Sequence, residues 1–184
     1  MRTSNKGTHY LMTGAVFFSM LFLLVTLAPA QHEENAQVTR LLSDAREKAA
    51  QLSRDADEME ALTRSDVSWQ THAEKLEEIK GHVNDLARIE QQLTAARASA
   101  SRWQQVAIDR MLPLLKELGA NTTAAINHLN ENKLRPTTGN YPEYLRANAE
   151  TAHQLSDMIS SFVQYGQTQA KLNTLEQKLE IATK

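Results

Sequence analysis

The sequence predicts an all-α fold, an antiparallel bundle of four helices with a long C-terminal helix. Three observations predict it. Beyond residue 30 only four glycines (Gly81, Gly119, Gly139, Gly166) and three prolines (Pro113, Pro136, Pro142) remain, and Ala, Leu, Gln, Glu, Lys and Arg, the strong helix formers, dominate. No stretch alternates apolar and polar positions with β-branched residues, as a strand would. Apolar residues recur instead at steps of four and three, the spacing of helices packed side by side. The competing arrangement is three helices, one of them very long and kinked.

The first thirty of the 184 residues read as an export signal. Arg2 and Lys6 lie in a polar start, Tyr10 to Leu27 run apolar without a charge, and Ala28-Pro29-Ala30 supplies small residues for cleavage. Cleavage there leaves Gln31 as the new N-terminus. The alternative is an uncleaved membrane anchor over residues 10–27, because about 18 apolar residues is also the lower limit for a span. In both cases the basic start stays inside and Glu33 and Glu34 cross. The body, residues 31–184, is one domain's worth of chain.

The first helix is expected over 34–63, with Val38, Leu42, Ala45, Ala49, Leu52, Ala56 and Met59 as its seam. Asp44 with Lys48 and Glu60 with Arg64 stand at i, i+4 on its outer face. Ser65-Asp66 or Ser68 caps a second helix over 68–97. Its seam is His72, Leu76, Ile79, Val83 and Leu86, drifting onto Ile89, Leu93, Ala96 and Ala100. An unbroken helix from 68 to 134 would be about 100 Å long, so a turn is needed, and Ala98-Ser99-Ala100-Ser101 is the expected place; Leu118 to Thr122, with Gly119 as a C-cap, competes. The third helix, 102–133, carries Trp103, Ala107, Met111, Leu114, Leu118, Ala125 and Leu129, with a polar gap at Thr122 and a kink expected at Pro113. Arg135 to Tyr141 form a loop, and Pro142-Glu143 open the last helix, 142–182. That helix is read with one seam running from Leu145 through Ala149, Ala152, Leu155, Ile159, Phe162 and Gly166 to Leu172, Leu175, Leu179 and Ala182. It outruns the first helix by about 11 residues, some 16 Å. Leu172, Leu175, Leu179 and Ala182 on that overhang are the candidates for pairing with another chain; the plainer alternative is that they cap the chain's own core.

Composition removes several functions. There is no cysteine, so disulfides, Cys-ligated zinc, iron–sulfur clusters and thiol nucleophiles are out. The net charge is −2, and −4 once Arg2 and Lys6 leave with the leader, without the basic excess of a nucleic-acid binder. Glu150 and His153 form a single E-x-x-H, a weak metal candidate, since di-metal bundles use two copies and two further glutamates. Glu78 and His82 at i, i+4 are weaker still. His72, His128, His153, Met59, Met111 and Met158 offer haem ligands in principle, but the alanine-rich first helix leaves little room for a porphyrin, and His72 on an apolar face reads as a core histidine. Trp69 and Trp103 read as core or boundary anchors. No G-x-S-x-G elbow or phosphate loop occurs, and Asn121-Thr122-Thr123 is a chance match to a glycosylation pattern.

These readings point to an exported, non-enzymatic helical bundle, periplasmic or secreted, that acts through protein contacts in the cell envelope and carries no cofactor. Its expected partner is another protein or a second copy, through the C-terminal helix; nucleic acid is not expected, and membrane contact only through an uncleaved leader. The alternatives are a metal- or haem-binding periplasmic bundle and a sensor-like periplasmic bundle, the latter weakened because no second apolar run of about 18 residues follows the leader.

Overall fold

The computed structural model describes residues 34–179. Four helices follow one another: α1 (Ala36–Leu62), α2 (Trp69–Ala96), α3 (Arg102–Glu131) and α4 (Tyr141–Lys178), with one 3₁₀ turn (Arg97–Ser99) between α2 and α3. α1 and α3 each pack on both α2 and α4. The short connections make sequence neighbours antiparallel, so the four helices close a ring around a single core. The expected leader and Ala182 lie outside the described residues. Among the described residues no helix is long and apolar enough to cross a membrane.

α1 and α2 begin where a polar side chain accepts from their free N–H groups. The Asn35 carboxamide oxygen accepts from the N–H of Gln37 and Val38 at 2.9 and 3.1 Å, and Ser68 Oγ accepts from Thr71 N–H at 3.3 Å. Pro142 and Glu143 stand in the first turn of α4, where a missing N–H costs nothing and a negative charge is favoured. The connection between α2 and α3 falls at the expected serine–alanine stretch: after the 3₁₀ turn, Ala100 and Ser101 are extended and α3 starts at Arg102. Gly119 does not end a helix; α3 runs through it, and through the exposed Pro113, without interruption.

The seam expected for α1 is buried at all seven positions. Two other seams need correction. In α2 the buried series is His72, Leu76, Ile79, Val83, Leu86, Glu90 and Leu93, an unbroken 4-3 rhythm with no drift onto Ile89, which is only partly buried. Glu90 is tolerated in the slot because Thr94 Oγ1 donates to its carboxylate at 2.6 Å. In α3 the series is Gln104, Ile108, Met111, Leu115, Leu118, Thr122, Ala125 and Leu129. It passes through Gln104 and Leu115, and Trp103 and Leu114 flank it, half-buried. Thr122 is therefore no gap: its hydroxyl accepts from Asn148 Nδ2 on α4 at 3.1 Å, inside the core.

Gln104 ties one end of the bundle together. Its Oε1 accepts from the N–H of Asn35 and of Ser101 at 3.1 and 2.9 Å, and its Nε2 donates to Asn35 O and Thr39 Oγ1, both at 3.0 Å. All four capacities of the buried amide are used. On the surface Glu60 and Arg64 pair as expected, 3.2 Å apart. Lys48 does not pair with Asp44; it reaches across to Asp85 of α2 at 3.2 Å, and the ion pair joins two helices.

Candidate functional site

Three places on the molecule gather groups that chemistry or recognition can use. The first surrounds His153. The ring bridges two side chains of α1: Nδ1 lies 2.9 Å from the Ser53 hydroxyl and Nε2 lies 2.9 Å from Asp57 Oδ1. Ser53 and Asp57 stand one turn apart on α1, so one imidazole on α4 reaches both. Sequence reading missed this trio because its members are separated by about a hundred positions; the only signal was their common placement beside the seams of two antiparallel helices. The order resembles a serine-nucleophile relay, but two parts are missing. Ser53 sits in mid-helix, where neighbouring N–H groups are spent on the helix ladder and none is free for a developing oxyanion. The His153 and Asp57 side chains are each about half exposed, so water screens the carboxylate from the ring. The trio works as a clasp between α1 and α4.

The metal candidates Glu150 and His153 are not brought together. Both ring nitrogens of His153 are occupied, and Glu150 is exposed, with Oε1 4.0 Å from Arg146 Nε. Glu78 and His82 also face different partners: Lys75 Nζ lies 2.9 Å from Glu78, and His82 Nε2 lies 2.9 Å from Asp55. Hydrogen bonds from Lys75 to Glu78 and Glu58 push the ammonium pKa up. Among the described residues no group of three or more His, Asp and Glu is placed to hold a metal ion.

The second place is the end of the bundle where α2 and α4 begin. Tyr141 and His72 are fully buried there. The Tyr141 hydroxyl lies 3.3 Å from His72 Nδ1, and His128 stacks on the phenol ring at 5.4 Å between centroids. Nε2 of His72 and of His128 are buried without a partner. Burial pushes the Tyr141 phenol up and the His72 imidazole down, which keeps both neutral. Lys133 closes the same end by lying 4.7 Å over the Trp69 ring.

The third place is the overhang of α4. At 38 residues α4 is eleven longer than α1, and its last buried residue is Gly166. Gly166 is required there: a Cβ would stand 2.7 Å from the Trp103 ring, so the glycine lets the indole lie directly on the helix. Beyond it α4 continues for about 18 Å. Leu172, Leu175 and Leu179 are 48%, 54% and 65% exposed. They do not extend the face that packs in the bundle, so the single seam expected along α4 is corrected to two. At about 100° per residue, the three leucines point roughly 160° round the helix from Ile159, Phe162, Val163 and Gly166. They cannot turn back onto their own bundle without unwinding α4. Val106, Leu112 and Tyr165 are the other large apolar residues exposed on the helices, and they are scattered singly, as is normal for a surface.

No protein family, no characterised protein and no solved structure matches the chain.

Proposed function

We propose that this is an exported, non-enzymatic helical bundle that acts by protein contact in the cell envelope, with the overhang of α4 as its contact element. The observation that carries this reading is the position of Leu172, Leu175 and Leu179 on the side of α4 facing away from the core. Three leucines in register on a helix held out from its bundle form a recognition surface of the helix-in-groove or coiled-coil kind. The bundle supplies the rigidity. It starts and braces the helix, so a partner meets a preformed surface and association bears no cost of helix nucleation. Export rests on Arg2 and Lys6, the apolar run Tyr10–Leu27 and the Ala28-Pro29-Ala30 site. The spent nitrogens of His153 and the lack of free N–H donors beside Ser53 support a role without catalysis.

The test pairs location with contact. Cells producing the chain are fractionated and the product's N-terminus determined; the expected result is a product outside the cytoplasm that begins at Gln31 or retains residues 10–27 in the membrane. In the same cells, Leu172→Asp with Leu175→Asp is expected to abolish the adducts that a lysine- or carboxylate-reactive cross-linker forms with the wild-type chain. Recovery from the cytosol with the leader intact, or adducts unchanged by the double substitution, overturns the proposal.

A further inference from the structure

The charges flanking the leucines identify what covers them. With Leu172, Leu175 and Leu179 as the a, d and next a positions of a heptad, Lys171 and Lys178 occupy g positions on one flank and Glu176 the e position on the other. In a parallel two-stranded coil, the g side chain of one helix meets the e side chain of the next heptad on its partner. Lys171 of each copy then faces Glu176 of the other, giving two equivalent ion pairs. In an antiparallel coil g meets g and e meets e, so lysine would oppose lysine and glutamate would oppose glutamate. Like charges at these positions are unfavourable.

We infer that the overhangs of two copies of this chain pair side by side and parallel, forming a symmetric dimer through Leu172, Leu175 and Leu179, with Lys171 and Glu176 setting the direction. This rests on the reading of α4 as the contact element. The placement of the stripe makes the arrangement sterically open. Because the leucines lie roughly 160° from the bundle-facing side, each bundle sits on the outside of the pair and neither blocks the approach of the other helix. The same patch meets itself, as a two-fold interface requires. The helix is already wound where it leaves the bundle, so this short seam escapes the nucleation cost that makes isolated short coils marginal. The interface is small, so the dimer is weak and its population depends on concentration.

The absence of cysteine from the sequence gives a direct test. In the full chain, expressed with its own leader, Leu175→Cys carries the protein's one thiol. Mild oxidation is expected to convert it to a species of twice the monomer mass, whereas Asn173→Cys, on the other side of the helix, stays monomeric. Direction is read by co-expressing differently tagged Leu172→Cys and Leu179→Cys chains: a parallel pair joins each variant only to its own kind, an antiparallel pair joins one to the other. In the Leu175→Cys background, Lys171→Glu is expected to slow cross-linking roughly tenfold, as two attractions become two repulsions, and adding Glu176→Lys restores it. None of these positions is buried, so the variants fold. Absence of the doubled species, mixed adducts only, or no restoration by the charge swap overturns the inference. Adducts of a different mass that still depend on the leucines would remove self-pairing and leave the contact reading standing; adducts of every mass that ignore the leucines would remove both.

Discussion

Gly166 is the residue at which one added atom matters most. A methyl group there would press on Trp103 at 2.7 Å, and the indole is itself held edge-to-face against Tyr165, 5.8 Å between centroids. Gly166→Ala is expected to lower stability by about 1–3 kcal/mol through overpacking. Gly81→Ala, in mid-α2 with nothing within 4 Å of the new methyl, is expected to raise it by about 0.5–1 kcal/mol, because alanine is the better helix former. Opposite shifts in melting temperature from the same substitution check the seat of Trp103; equal shifts would refute it. His72 is a second single-residue case. It is fully buried, and burial holds its pKa below 6.5, so the unfolded chain takes up the proton first. The stability that depends on the neutral ring is therefore complete above about pH 6.5 and is lost as the pH falls below it, at up to about 1.4 kcal/mol per pH unit. Its titratable neighbours at this end are Tyr141 and, across the phenol, His128. His72→Gln is expected to flatten the fall in melting temperature between about pH 7 and about pH 5; an unchanged slope would place the acid sensitivity elsewhere. His72 was legible in the sequence as a core histidine because it falls in a seam slot. That Tyr141 is its partner was not, since ring-to-ring contact across two helices leaves no mark in spacing.

Among the elements, the seam of α1 was fully legible because every slot in it is apolar, the buried Ser53 standing beside the seam. α2 and α3 were misread at the points where a polar residue occupies the slot. Reading apolarity alone shifts the seam from Glu90 to Ile89 and from Gln104 to Trp103, and at Leu114-Leu115, where both residues are apolar, it does not tell the slot from its neighbour; the helices keep the 3.5-residue rhythm and hydrogen-bond the polar side chains in it. Thr94 serves Glu90, Asn148 meets Thr122, and Gln104 joins the start of α1 to the start of α3. The last of these gives the prediction that belongs to this scale. Gln104→Glu keeps the shape and the accepting oxygen, but replaces the amide that donates to Asn35 O and Thr39 Oγ1 with a second acceptor. It is expected to cost about 1–3 kcal/mol, seen as a lower urea midpoint with an unchanged slope. A midpoint equal to wild type would mean that the amide does not hold the two helix starts together.

For the whole molecule, the question is whether the overhang of α4 belongs to the fold or is carried by it. Its start and its excess over α1 were legible, since Pro142 fixes the start and no breaker follows, although α4 ends at Lys178, four residues before the expected end at 182. Its separation from the core was not, because the residues from Leu145 to Ala182 fall into one 3-4 series only if the change of face after Gly166 is ignored. That change has an energetic consequence. Among residues 167–179 none is buried, so removing them takes almost no apolar surface out of the core, whereas the closure of the ring depends on Leu155, Ile159 and Val163 just before. Truncation after Gln169 is therefore expected to leave the stability of the bundle within about 0.5 kcal/mol of wild type, the usual range for surface changes, and its melting temperature nearly unchanged. The same truncation removes Leu172, Leu175 and Leu179 and is expected to abolish concentration-dependent association in light scattering. Stability and association thus separate along one continuous helix. A large drop in melting temperature would show that the overhang folds back to brace the bundle; a dimer that survives the cut would place the contact surface on the bundle itself.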